Sequence, residues 1–161
     1  MGPLNKEIRE YREQLRKGHI QKAYKGIMTF MSTLKAHMEY ENPACHASAL
    51  YFGYMDMTYF AFTPPALRDK KLKTAVVYLH EEGRFEAWLG GSNRMVQAEW
   101  IERLKGKDLG RYKLSQVLPG VDSILEDILA EAPDFDDPES LKAELTKKTL
   151  AFITDLTDMV L

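Results

Sequence analysis

The sequence predicts an α+β fold, and three observations predict it. Apolar residues recur at helical steps at both ends of the chain, from Leu4 to Met38 and from Leu141 to Met159. The middle instead carries β-branched and aromatic runs on either side of Glu81-Glu82-Gly83, a hairpin signature. With 161 residues, 45% of them hydrophobic, the chain can bury one sizeable core and is too short for two ordinary domains, so a single domain over 1–161 is expected.

Taken in order, Leu4, Ile8, Tyr11 and Leu15 form one apolar stripe on a short helix that Gly18 stops. Ile20, Tyr24, Ile27, Met31, Leu34 and Met38 continue at alternating steps of four and three until Asn42-Pro43, which makes an N-terminal helical hairpin the simplest reading. The same seam also suits an intermolecular coiled coil. Its length, under three full heptads, and extra apolar positions such as Met28 favour core packing.

From Ala49 to Phe62 the chain turns to Tyr, Phe, Met and Thr, which fit a pleated surface, and Pro64-Pro65 closes this first strand. Leu72 to His80 and Arg84 to Leu89 are the next two, completing a three-stranded antiparallel meander. A connection of three residues ending in Gly83 fits a type I turn with a glycine bulge and sets His80 opposite Arg84. Leu79 then faces Phe85, Val77 faces Ala87 and Ala75 faces Leu89 on the core side; Tyr78 faces Glu86 and Val76 faces Trp88 on the other.

Asn93 caps a helix through Met95, Val96, Trp100, Ile101 and Leu104 that Gly106 stops, and Tyr112 to Val117 suits a short fourth strand. Two C-terminal helices follow. The first runs behind Asp122 through Ile124, Leu125, Ile128 and Leu129 to Pro133, and the second opens at Asp137-Pro138 with the stripe Leu141, Leu145, Thr149, Phe152, Leu156 and Met159.

Composition narrows the function. The formal charge of -2 and pI near 6.1 argue against a surface that coats nucleic acid. Arg68, Lys70, Lys71 and Lys73 form the only compact basic run, and on an edge strand such charges block sheet-to-sheet aggregation; nucleic-acid contact is the minority reading. A lone cysteine, Cys45, closes no internal disulfide and suits a reducing cytosol. No secretory signal and no run of about 18 apolar residues is present, so the expectation is a cytoplasmic chain with no membrane partner.

The phrases YFGYMDMTYFAFTP (51–64), RFEAWLGG (84–91) and GVDSILEDIL (120–129) resemble a small bacterial and archaeal family of unknown function over almost the whole chain. That resemblance implies a single-domain fold and supplies no catalytic residues. The element order is also similar to that of restriction-endonuclease-like nucleases. Such a likeness implies a metal held by strand acids beside a lysine, but Trp88 stands where that lysine belongs and the nearest acid before the second strand is Asp69.

The expected register gathers Tyr78, His80, Arg84, Glu86 and Trp88 on the non-core side, and alternation along the first strand adds Tyr54, Asp56 and Thr58. Such a face offers carboxylates for a hard cation or a tuned base, and rings for a planar ligand; alternatively the helices cover it and it is a buried polar network. Gly90 and Gly91 lead into Asn93 and Arg94 at a helix start, where backbone N–H groups can receive an anion, although neither a P-loop nor a dinucleotide fingerprint is complete. His37, Cys45 and His46 lack the spacing of a metal cluster, and Asp134, Asp136 and Asp137 read as a helix start in place of a calcium loop.

The ligand-binding set is therefore Tyr54, Asp56, Tyr78, Arg84, Glu86, Trp88, Gly90, Gly91, Asn93 and Arg94, with no metal and no cofactor implied. The leading expectation is a non-catalytic module for an unidentified small molecule or protein. Its alternatives are a metal-dependent phosphodiester hydrolase using Asp56, Asp69 or Glu86, and a structural protein self-associating through the seam that contains Leu34, which leaves homo-oligomers open.

Overall fold

A computed structural model describes residues 2–161 and bears out the α+β class. Helices α1 (Pro3–Lys17) and α2 (His19–Glu41) meet at Gly18, whose φ of 82° ends one helix and starts the next within a single residue. Strands β1 (His46–Ala47), β2 (Met57–Thr63), β3 (Leu72–Leu79), β4 (Arg84–Gly91), β5 (Lys113–Leu114) and β6 (Ser123–Ala130) form one antiparallel sheet in the order β1-β2-β3-β4-β6-β5. A short helix α3 (Pro65–Arg68) links β2 to β3; α4 (Arg94–Leu104) follows β4, and α5 (Pro138–Val160) ends the chain.

Helices α2, α4 and α5 bury one side of the sheet. Met31, Leu34 and Met38 of α2, Leu104 of α4, and Leu145, Phe152 and Leu156 of α5 are fully buried in one cluster with Phe60, Phe62, Val76, Phe85, Ala87 and Leu89. Met31, Leu34 and Met38 of the α2 seam are thus core, so Leu34 is not free to meet a second copy, while Ile20 at the start of the seam is 41% exposed. Burying these apolar side chains is the main stabilising term, at about 1.5–3 kcal/mol each. By contrast α1 buries no residue, and its one substantial contact is with α2.

Three expectations need correction. The β3–β4 connection spans four residues, His80 to Gly83, closed by the Gly83 N–H donating to Leu79 O at 2.8 Å, so Leu79 pairs with Arg84, Tyr78 with Phe85 and Val77 with Glu86. A one-residue slip exchanges the faces of β3 while β4 keeps those expected. Tyr78 therefore turns inward, its ring 4.9 Å from Phe85 and 5.6 Å from Phe135, an aromatic cluster that a smaller Val77 cannot supply.

Second, the helix expected behind Asp122 is strand β6, so only one C-terminal helix exists. Its apolar doublets imitate a helical stripe because β6 bulges twice against β4, near Leu89/Gly90 and Phe85/Glu86, turning both Ile124 and Leu125, and both Leu129 and Ala130, inward. Ile128, which a helix would have buried with them, is 48% exposed. Third, the strand expected from Ala49 to Phe62 doubles back: Tyr51 bridges Tyr59 across a turn in which Gly53 and Met55 take positive φ.

The remaining ends follow local chemistry. Asn93 accepts from Val96 N at 2.9 Å and Asp137 from Ser140 N at 3.3 Å, capping α4 and α5 as their sequences predict. Among the described residues no helix is long and apolar enough to cross a membrane.

Candidate functional site

Among the described residues the only helix that borders the other side of the sheet over β3 and β4 is α4, at its first turn. Alternation presents Ala75 and Val77 of β3 and Trp88 and Gly90 of β4 there, flanked by Met57 and Tyr59 of β2. Val77 is buried yet stands outside the core cluster, which marks it as floor of this second layer. Together these residues line a concavity of about 280 Å³, whose other wall is Lys73, the Ser92–Arg94 turn and Asp122 with Ser123.

Gly91 lets this wall come close. A Cβ there would stand 2.8 Å from Gln97 N and 3.0 Å from a Val96 methyl, so any larger residue would push the start of α4 away from the strand. Buried Gln97 then donates to Val121 O at 2.9 Å and Ser123 O at 3.0 Å, pinning the segment before β6 against α4. Arg94 is engaged in the same clamp through Asp122 at 3.1 Å, Gln97 Oε1 at 3.1 Å and the Val121 carbonyl. Its guanidinium serves the wall, whereas exposed Lys73 takes part in none of the ion pairs among the described residues.

Beside the concavity, Glu86 is 3% exposed and has both carboxylate oxygens occupied. Arg84 Nε donates to one at 2.7 Å and Trp88 Nε1 to the other at 2.9 Å, while Arg84 also reaches Glu131 at 3.5 Å. The bond to Glu86 raises the Arg84 pKa further above its ordinary value, so this is a fixed charge pair. It orients the Trp88 ring over the sheet, because a donated indole N–H selects one ring orientation.

The expected set is thereby divided. Trp88, Gly90, Gly91, Asn93 and Arg94 line the concavity, and Arg84 and Glu86 support it from behind. Tyr78 points into the core instead. Tyr54 sits 88% exposed at the tip of the turn before β2, where Asp56 Oδ1 accepts from Tyr54 N at 2.9 Å and Met57 N at 2.7 Å. Those N–H groups hold the Asp56 carboxyl below its ordinary range, making it a turn-closing residue.

His80 lies next to that turn. Thr58 Oγ1 spends its one proton on Phe52 O at 2.6 Å, so the 2.8 Å contact with His80 requires the imidazole Nε2 to be the donor. Tyr24 stacks on the ring at 5.8 Å and Tyr78 meets it edge-on, and burial lowers its pKa against the opposing pull of Asp56. This histidine is a neutral tie between α2, β2 and the β3–β4 turn.

Elsewhere, burial raises the Cys45 thiol pKa, the opposite of nucleophile activation, and Asp134 accepts from Asp136 N at 3.0 Å in the turn before α5. Among the described residues no three His, Cys, Asp or Glu side chains converge as possible metal ligands, and Asp56, Asp69 and Glu86 do not come together in such a group. Met57, Tyr59, Lys73, Ala75, Val77, Ser92, Gln97, Asp122 and Ser123 are the lining residues that the sequence reading misses. Shifting β3 by one residue would have found Ala75 and Val77; nothing short-range announces Gln97 or Asp122.

Compared with known proteins, residues 4–160 match a family described as a domain of unknown function, DUF7000. No curated protein and no solved structure matches the chain.

Proposed function

The chain belongs to the DUF7000 family, whose description assigns no activity, and from the uncovered sheet face we propose that it is a non-catalytic binding module. Its ligand is a small molecule with a flat apolar body and one anionic group. The observation that carries this reading is the concavity itself: an apolar floor of Ala75 and Val77, aromatic walls in Trp88 and Tyr59, and one uncommitted cation, Lys73, on the rim. At about 280 Å³ it lies just below the range of ligand pockets, roughly 300–1,000 Å³, which suits only a small ligand.

Binding is favoured over catalysis because the acid that lines the concavity, Asp122, is paired with Arg94, and Glu86 beside it already has a donor on each oxygen. An aromatic ring would lie on the Ala75–Val77 floor against Trp88, with its anion at Lys73. Trp88 reports on this site, since the other tryptophan, Trp100, is buried in the core.

The test is a titration of benzoate, phenyl phosphate, adenosine monophosphate and uncharged benzyl alcohol, followed by tryptophan fluorescence and by the unfolding midpoint. An aromatic anion is expected to quench saturably and raise the midpoint, with Lys73→Gln weakening it about tenfold, roughly 1.4 kcal/mol. Ala75→Leu, which fills the floor, is expected to abolish the response. No response to any anion, or a response unchanged in both variants, refutes the assignment.

A further inference from the structure

The first helix carries an apolar stripe that the protein does not use itself. Leu4 is 66% exposed, Ile8 44% and Tyr11 55%, although these residues and Leu15 follow one another at steps of four, three and four. Of the four longer helices α1 is the most strongly amphipathic, and no residue in it is buried. We propose that α1 is a dimerisation element that pairs in parallel with α1 of a second copy of this chain.

The pattern selects that occupant. With Ile8 and Leu15 at a and Leu4 and Tyr11 at d, the stripe is the narrow seam of a coiled coil, and a β-branched residue at a beside Leu at d favours two parallel strands. The flanks are unlike each other. Arg12 occupies e, with Arg9 and Arg16 next to it at b; Glu7 occupies g, with Glu10 next to it at c. Parallel two-fold pairing sets g of each helix against e of its partner, so both Glu7 side chains meet an Arg12. An antiparallel pair would instead set Arg12 against Asn5 and Glu7 against Gln14, and would align the two arginine flanks. The charges are therefore complementary to a second copy in one orientation only.

Two heptads make a small interface, so a weak, concentration-dependent dimer is expected, in the micromolar to millimolar range. Sedimentation equilibrium of the full chain from about 1 μM to about 1 mM should show the mass rising from 18.5 kDa towards twice that value. Ile8→Asp should stay monomeric with an unchanged unfolding midpoint, because α1 contributes nothing to the core. Glu7→Arg alone and Arg12→Glu alone should each weaken association about tenfold, while an equimolar mixture of the two variants should pair as well as the parent. In that mixture every g–e contact is again between opposite charges. A chain that is monomeric throughout, association that survives Ile8→Asp, or a mixture no better than either variant alone would overturn the proposal.

Discussion

Removing Arg84 should cost the fold more than removing the carboxylate it neutralises. In Arg84→Ala the Glu86 side chain, 4% exposed, keeps only the Trp88 indole N–H at 2.9 Å and loses the 2.7 Å charge-assisted bond. Stranding a fully buried charge costs about 3–5 kcal/mol; because the Arg84 side chain is 30% exposed, water can enter the space it leaves, and about 2–3 kcal/mol is expected. Glu86→Leu removes the desolvated charge along with its partners' acceptor. Trp88 and Arg84 are both half-buried and can turn to water or, for Arg84, to Glu131, so the loss should stay within about 1 kcal/mol. Arg84→Ala combined with Glu86→Leu should then be no less stable than Arg84→Ala alone. Urea unfolding measures all three, and in a thermal melt, at roughly 2–4 °C per kcal/mol, the midpoint of Arg84→Ala should fall by about 5–10 °C. If Arg84→Ala proved as stable as Glu86→Leu, or the double variant fell further than either, Glu86 would not be a charge that depends on this partner.

Leu34→Ala, at a fully buried position of α2, should destabilise by about 2–5 kcal/mol in the same assay, and Leu34→Asp should unfold the protein and not merely release monomers. Gly53→Ala meets both a φ of 78° and a Cβ placed 1.9 Å from Met57 O, so a loss of at least about 2 kcal/mol is expected, unlike Gly83→Ala, where nothing lies within 4 Å and only the left-handed strain of about 1–2 kcal/mol applies. The neutral imidazole of His80 makes stability fall with acid: its folded pKa lies below the ordinary 6.5, so the unfolded chain takes up the proton first, and the loss begins as pH drops through about 6.5 and ends at the folded pKa. His80→Gln should flatten that part of the pH profile; a profile identical to the parent's would assign the acid loss to other groups.

Much of the fold is legible in local chemistry because local chemistry decides it. Gly18, Asn93 and Asp137-Pro138 mark helix ends by mechanisms confined to a turn of backbone, and each end falls where its residue predicts. Strand β6 is illegible for the converse reason. Its Ile124-Leu125 and Leu129-Ala130 doublets are buried by two bulges imposed by pairing with β4, far earlier in the chain, and no window around Asp122 contains that information.

The candidate site shows how a small error of register changes chemistry. A three-residue turn and the four-residue one both use Gly83 at positive φ, so turn preference alone does not separate them; the decision rests on Tyr78, whose ring finds Phe85 and Phe135 only in the longer turn. With Tyr78 inward, the outer face of β3 beside the Gly90 turn becomes Ala75 and Val77, and small apolar residues opposite Trp88 leave a hollow where the other register would have presented tyrosine. The aromatic packing that fixes the hairpin on one side of the sheet thus opens the concavity on the other. It follows that Tyr78→Val should disturb ligand binding as well as stability, even though Tyr78 touches no part of the concavity, because the slipped register it would permit sets Val76 in place of the smaller Ala75 opposite Trp88 and narrows the hollow.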